Sequence, residues 1–130
     1  MDKQIFDRGL EIRKSVLGAA FVEKSLNAAD AFNKPFQELV TEYCWGAIWG
    51  DEDLPFKTRS MLNLAMLSAL NRPQEFRTHV RGALQNGVTR EEIRAVLMQV
   101  AIYCGVPAGM EAFRIAREVL AEHDAAAAKA

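Results

Sequence analysis

Cysteine is scarce in this chain of 130 residues, and its two cysteines stand far apart in the sequence. Cys44 and Cys104 form neither a CxxC motif nor a metal-ligand spacing, which argues against a disulfide framework and against a zinc site. Because neither thiol has a nearby base or a second thiol in its pattern, we interpret both as small apolar filler residues. The expected environment is reducing and metal-free.

An excess of one charge sign is also absent, because 16 basic and 17 acidic residues leave a formal net charge of −1. No basic stripe stands out, which argues against nucleic-acid binding through phosphate neutralisation. Charges interrupt every apolar stretch well short of a membrane span, and the first residues, MDKQIFDRGLEIRK, lack a signal-peptide core. We therefore expect a cytoplasmic protein with neither a membrane nor a nucleic-acid partner.

Alternating strand patterns are missing, whereas helical spacing of apolar residues recurs along the chain, half of which is apolar. We predict one all-α domain over residues 1–130, with its core at about 8–120 and a frayed tail at 124–130. Six or seven helices are expected, over residues 2–16, 29–49, 57–71, 73–85, 89–104 and 107–123, with a short helix or turn within 21–28. Thr89 and Glu92 have the spacing of a capping box.

The predicted helix over residues 29–49 has two apolar faces. Trp45 and Trp49 lie nearly opposite an apolar stripe made of Phe32, Phe36, Leu39, Val40, Tyr43 and Ala47. One face can pack on the domain core, so the other predicts a partner subunit or a ligand pocket. Residues 57–71 are apolar almost all round, which predicts a central buried helix.

His79 is the first candidate for chemistry, because it follows Phe76 by three residues and so lies toward the inward face of its helix. It is either a histidine satisfied by a backbone carbonyl or a general acid or base that titrates near neutral pH. Arg59 begins the most apolar helix, with Asn63 one turn later. Its guanidinium either pairs with Glu38, Glu42 or Glu75, or anchors a substrate carboxylate.

Two further groups have helical spacing. Glu42, Trp45 and Trp49 share one face, on which packing is the more common role of tryptophan. Gln99 and Tyr103 form a one-turn pair. Both side chains can donate hydrogen bonds to a developing oxyanion, although both are also common at helix edges.

Nearly the whole chain, from about residue 8 to residue 120, resembles the carboxymuconolactone decarboxylases. The resemblance lies in RGLEIRKSVLG, FQELVTEYCWGAIWG, KTRSMLNLAMLSALNRPQEFRTHVRGALQNGVT and EEIRAVLMQVAIYCGVPAGMEAFRIAREVL. It implies the all-helical fold shared with alkylhydroperoxidase D. It also implies self-association to a trimer or hexamer.

The resemblance further implies a decarboxylase of aromatic-compound degradation that acts on a small acidic lactone or keto acid without a metal or organic cofactor. Electrons left by CO2 delocalise to the lactone carbonyl, so the enzyme must hold carboxylates, stabilise an oxyanion and supply a proton. By position in HVRGAL, His79 is the expected proton donor, and Arg59 in TRS is the expected carboxylate ligand. The YxWGxxW motif would line the pocket with Tyr43, Trp45 and Trp49.

Two positions depart from the family pattern, in which histidine usually stands at Gln99 and asparagine at Met110. These departures leave a non-catalytic, oligomeric binding protein as an alternative. A thiol peroxidase is a weaker alternative. Its CxxCxxxH motif would need cysteines at Arg72 and Glu75.

Overall fold

The computed structural model describes all 130 residues and contains helices but no strand. The all-α prediction is therefore confirmed, with seven helices. None of them combines the length and the apolar character that a membrane span requires. The helices are α1 (Lys3–Leu17), α2 (Ala19–Asn27), α3 (Lys34–Leu39), which continues into a π-helical segment (Val40–Ile48), α4 (Phe56–Ala69), α5 (Pro73–Gln85), α6 (Arg90–Tyr103) and α7 (Val106–Ala128).

The chain divides into two compact units, Met1–Phe56 and Lys57–Ala130. In the first unit, α1 lies directly against the π-helical segment. The approach is so close that a Cβ atom at Gly9 would come within 2.0 Å of the Thr41 carbonyl oxygen. Gly46 faces α1 in the same way, because a Cβ atom added there would lie 2.3 Å from the Ile5 carbonyl oxygen. Glycine is therefore required on both sides of this crossing.

The prediction of a single α-helix over residues 29–49 is wrong at its start and in its second half. The helix begins only at Lys34, because the Asp30 carboxylate accepts hydrogen bonds from the backbone N–H groups of Phe32 and Asn33 and holds a turn there. From Val40 the helix widens to π-helical hydrogen bonding. The Thr41 hydroxyl donates to the Gln37 carbonyl at 2.8 Å, which competes with the regular α-helical bond at that carbonyl.

The core of the second unit is formed by one face each of α4, α5, α6 and α7. Its buried side chains are Leu64, Phe76, Val80, Ala83, Val88, Ile93, Leu97, Ala112, Ile115, Ala116 and Val119. The predicted all-round burial of α4 is wrong, because only Ser60 and Leu64 are buried on this helix. Leu62 and Met66 are exposed, since the core covers one side of α4 only.

The helix ends in the second unit agree with the sequence signals. The Thr89 hydroxyl accepts from the Glu92 N–H at 3.1 Å, and the Glu92 carboxylate accepts from the Thr89 N–H at 3.0 Å, so the capping box is confirmed. The predicted end of the last helix at residue 123 is wrong, because α7 continues to Ala128. Alanine has the highest intrinsic helix propensity, and the exposed alanine run extends the helix without tertiary packing.

Candidate functional site

His79 lies on α5 beside the buried residues Phe76 and Val80, so its predicted place toward the inward face is confirmed. The side chain of Asn63 on α4 approaches it, with Nδ2 3.4 Å from Nδ1 of the imidazole. An amide nitrogen only donates, so this contact is a long hydrogen bond when Nδ1 carries no proton.

Burial lowers the pKa of His79 below its ordinary value of 6.5, because the charged imidazolium loses hydration. The carboxylate of Glu75, one turn earlier on α5, opposes this shift but does not cancel it. The imidazole is therefore mostly neutral at neutral pH. When it is protonated, it is a stronger acid than an exposed histidine.

Arg59 is half-buried on α4, one turn before Asn63. The two side chains share a face of the helix, as their spacing predicted, and Asn63 connects that face to His79. The guanidinium of Arg59 keeps its positive charge at neutral pH, so it can pair with a carboxylate. Its role as a carboxylate ligand stays a prediction.

Gln99 and Tyr103 meet at a cavity of about 350 Å³ in the second unit. Most of its surface is apolar, and Tyr103 at its rim is 83% exposed. The lining residues are Thr58, Met61, Leu62, Ala65, Val96, Gln99, Val100, Tyr103 and Cys104. His79 and Arg59 are not among them, so this cavity unites only part of the predicted site.

The predicted pocket residues of the first unit separate into a buried pair and outward-facing residues. Trp45 and Trp49 are each only 4% exposed, and their rings stack with centroids 4.8 Å apart. Tyr43 is exposed, whereas the half-buried Glu42 carboxylate accepts a hydrogen bond from the Asp2 backbone N–H at 3.3 Å. Packing therefore accounts for the tryptophans, and the pocket-lining roles of all four residues stay predictions.

Cys44 is exposed as a residue, yet burial of its thiol raises the pKa above the usual value, with the Arg13 guanidinium opposing the shift. A raised pKa keeps the sulfur protonated, which is unfavourable for a peroxidatic thiolate. Cys104 lies at the cavity of Gln99 and Tyr103. Groups of three or more metal-ligating side chains are absent.

Two polar contacts were not anticipated from the sequence. One is the pairing of Asn63 with His79, which are 16 residues apart and meet only because α4 and α5 fold back on each other. The other is the buried guanidinium of Arg13, which donates to Thr41 Oγ1 and Gln37 Oε1, each at 3.0 Å. Helical periodicity carries no signal for either contact, since each joins two different helices.

Two relatives match this chain over most of its length, and both are decarboxylases. Nitrosuccinic acid decarboxylase npaB of Metarhizium robertsii is 39% identical over 120 residues, covering 92% of this chain and 84% of the relative. The 4-carboxymuconolactone decarboxylase of Acinetobacter baylyi is 39% identical over 118 residues, covering 91% and 88%. The class that fold and relatives define is thus an all-helical carboxy-lyase.

A family profile gives the narrower assignment. The profile of the carboxymuconolactone decarboxylase family matches residues 34–118. A 4-carboxymuconolactone decarboxylase of Pseudomonas putida is also 40% identical over 45 residues, which cover 35% of this chain and 94% of that relative. This chain belongs to the carboxymuconolactone decarboxylase family.

Proposed function

We propose that this decarboxylase acts without a cofactor on a small lactone or keto-acid carboxylate that carries its own electron sink. The single observation that supports this most is the partly buried imidazole of His79, which Asn63 holds and burial keeps mostly neutral. Degradation of aromatic compounds is the expected setting, and the cytoplasm the expected location.

The names of the two long relatives narrow the substrate class. Both 4-carboxymuconolactone and nitrosuccinic acid have two carboxyl groups and an oxygen-terminated electron sink, a lactone carbonyl in one and a nitro group in the other. One carboxylate can leave as CO2 while the other remains as a handle for binding. We therefore expect this enzyme to take a small dicarboxylate with a similarly placed sink.

The proposed roles follow from that chemistry. Arg59 binds the carboxylate that stays, since a guanidinium holds a carboxylate through two parallel hydrogen bonds. His79 acts at the reacting centre, and Gln99 and Tyr103 donate hydrogen bonds to the substrate. Each donor directed at the developing oxyanion contributes about 3 kcal/mol to transition-state stabilisation. The substrate-binding roles that the family resemblance implies for Tyr43, Trp45, Trp49 and Glu42 remain part of this proposal.

Self-association to a trimer or hexamer is part of the proposal, supported by apolar side chains exposed on the second unit. Ile102 is 79% exposed and Met110 is 68% exposed, and Tyr103 lies between them in sequence. A small domain has a small core of its own, so contact between subunits that covers such an exposed apolar patch adds to its stability. Ile102→Asp should lower the mass measured by sedimentation equilibrium, whereas Arg94→Asp on the same helix should not. If neither variant changes the measured mass, Ile102 does not lie in a subunit interface.

The activity is tested by adding purified protein to 4-carboxymuconolactone and, separately, to nitrosuccinic acid, and measuring CO2. His79→Ala, which removes every hydrogen-bonding group of the side chain, should lose most of the rate, whereas His123→Ala, at an exposed position on α7, should keep it. A Cys44→Ala, Cys104→Ala double variant should also keep the rate, because the proposed chemistry uses no thiol. The proposal fails if neither compound releases CO2, or if His79→Ala is as fast as the unaltered protein.

A further inference from the structure

We infer that Asn63 is a positioning residue, which holds His79 as a neutral imidazole with its proton on Nε2. In this form His79 acts as a hydrogen-bond donor to the substrate oxygen that receives the electrons when CO2 leaves. The action on substrate rests on the proposed function. The state of the ring rests on the contact between α4 and α5 alone.

The contact is selective for one state of the ring. The Asn63 amide nitrogen lies 3.4 Å from Nδ1, and both side chains are half-buried, so water competes little for either group. An amide N–H requires a lone pair on Nδ1, which exists in the Nε2–H tautomer only. The imidazolium and the Nδ1–H tautomer each place a second proton between two nitrogen atoms, which is repulsive.

The charged groups of the neighbouring helices do not reverse this preference. On α5 the Glu75 carboxylate raises the pKa of His79, but loss of hydration outweighs it. On α4 the charged residue nearest to Asn63 in sequence is Arg59, one turn earlier. The carboxylates of α7 pair with arginines of α5. Arg77 forms ion pairs with Glu118 and Glu122, and Arg81 forms one with Glu122.

A neutral donor suits the reaction. The bond between the substrate carbon and its carboxylate breaks, CO2 leaves, and the electron pair moves to the oxygen of the sink. The Nε2–H group stabilises that oxyanion without transferring its proton, so the bond to Asn63 stays intact. The carbon then takes a proton from solvent water, so each turnover consumes one proton. This role differs from that of a proton donor, which the family resemblance implies for His79.

The state of the ring is measurable, because the protein has two histidines only. In ¹⁵N-labelled protein, two-bond correlation spectra distinguish Nε2–H, Nδ1–H and doubly protonated rings. His123→Gln leaves a single set of signals and so assigns His79. We expect the Nε2–H pattern at neutral pH and a titration midpoint below that of an exposed histidine. An Nδ1–H pattern overturns the inference whatever the activity.

Variants at Asn63 separate positioning from simple stability. Asn63→Leu removes the amide that contacts Nδ1, so the His79 ring should become a mixture of the Nδ1–H and Nε2–H tautomers. Asn63→Asp, whose carboxylate accepts from Nδ1–H, should raise the pKa of His79 and lower kcat by about 100-fold with little change in KM. Asn86→Leu is the matched control, because Asn86 donates to Ser60 on α4 at 2.9 Å. It should destabilise the unit without moving the tautomer.

The pH dependence of kcat/KM distinguishes the two forms of His79. If the neutral ring is active, kcat/KM rises as pH rises through the lowered pKa and is then constant through neutral pH. A fall in kcat/KM as pH rises through that pKa requires the imidazolium and overturns the inference. If no carboxylate is decarboxylated while the tautomer still responds to Asn63→Leu, the pairing stands and the proposed function fails.

Discussion

Trp45 and Trp49 stack on the buried side of the π-helical segment, with ring centroids 4.8 Å apart and planes inclined by 28°. Trp49 also meets Phe56 edge-on at 5.7 Å, so the three rings form the aromatic part of the small core of the first unit. Tyr43, on the same segment, is 64% exposed. The segment therefore has one face used for packing and one left open.

Trp49→Ala should be strongly destabilising, because it removes a buried ring that contacts two other aromatic side chains. We expect the free energy of unfolding to fall by about 3–5 kcal/mol, measured by urea denaturation. Tyr43→Ala on the exposed face should change it by no more than about 0.5 kcal/mol. Equal effects of the two substitutions would contradict the assignment of the faces.

Gly9→Ala should destabilise the first unit through overpacking. The added methyl group would lie 2.0 Å from the Thr41 carbonyl oxygen, and a backbone atom cannot rotate away as a side chain can. A loss of about 3 kcal/mol in the free energy of unfolding is expected. Ser15→Ala, at an exposed position of α1, is the control and should be close to neutral. A stable Gly9→Ala protein would mean that α1 and the π-helical segment are not in close contact.

Stability should depend on pH through His79. Its pKa is lowered in the folded protein, so the unfolded chain binds more protons once the pH falls below 6.5. The stabilisation is fully present above 6.5 and is lost as the pH falls through the folded-state pKa. Thermal unfolding from pH 8 to pH 5 should show this loss, which His79→Gln should remove and His123→Gln should retain. An identical pH profile in His79→Gln would refute the assignment.

Thr89→Ala should cost about 1 kcal/mol, because it breaks the capping box and leaves N–H groups at the start of α6 without their side-chain acceptor. Thr78→Ala provides a comparison, since the Thr78 hydroxyl donates back to the Gln74 carbonyl within α5 and caps nothing. Guanidinium denaturation of both variants gives the difference. The interpretation of the cap is wrong if Thr78→Ala is the more harmful change.

Local signals in the sequence were sufficient for the helices and most of their ends. Pro73 begins α5, the Thr89–Glu92 box begins α6, and Gly18 with φ of 93° follows α1. Each of these features acts on backbone groups within four residues, so the local sequence is sufficient to place the helix end. The change from α-helical to π-helical hydrogen bonding at Val40 was not predicted. It accompanies the hydrogen bond of the Thr41 hydroxyl to the Gln37 carbonyl and the close approach of α1, and the second of these is a tertiary contact.

The candidate site could be predicted only in part for the same reason. Sequence alone determined the all-helical class, the family resemblance and the inward position of His79, since periodicity and motif spacing are properties of single segments. Tertiary structure decided that Asn63 binds Nδ1, that Gln99 and Tyr103 share a cavity, and that only one face of α4 is covered. Such contacts join residues of different helices, and their geometry depends on how those helices pack.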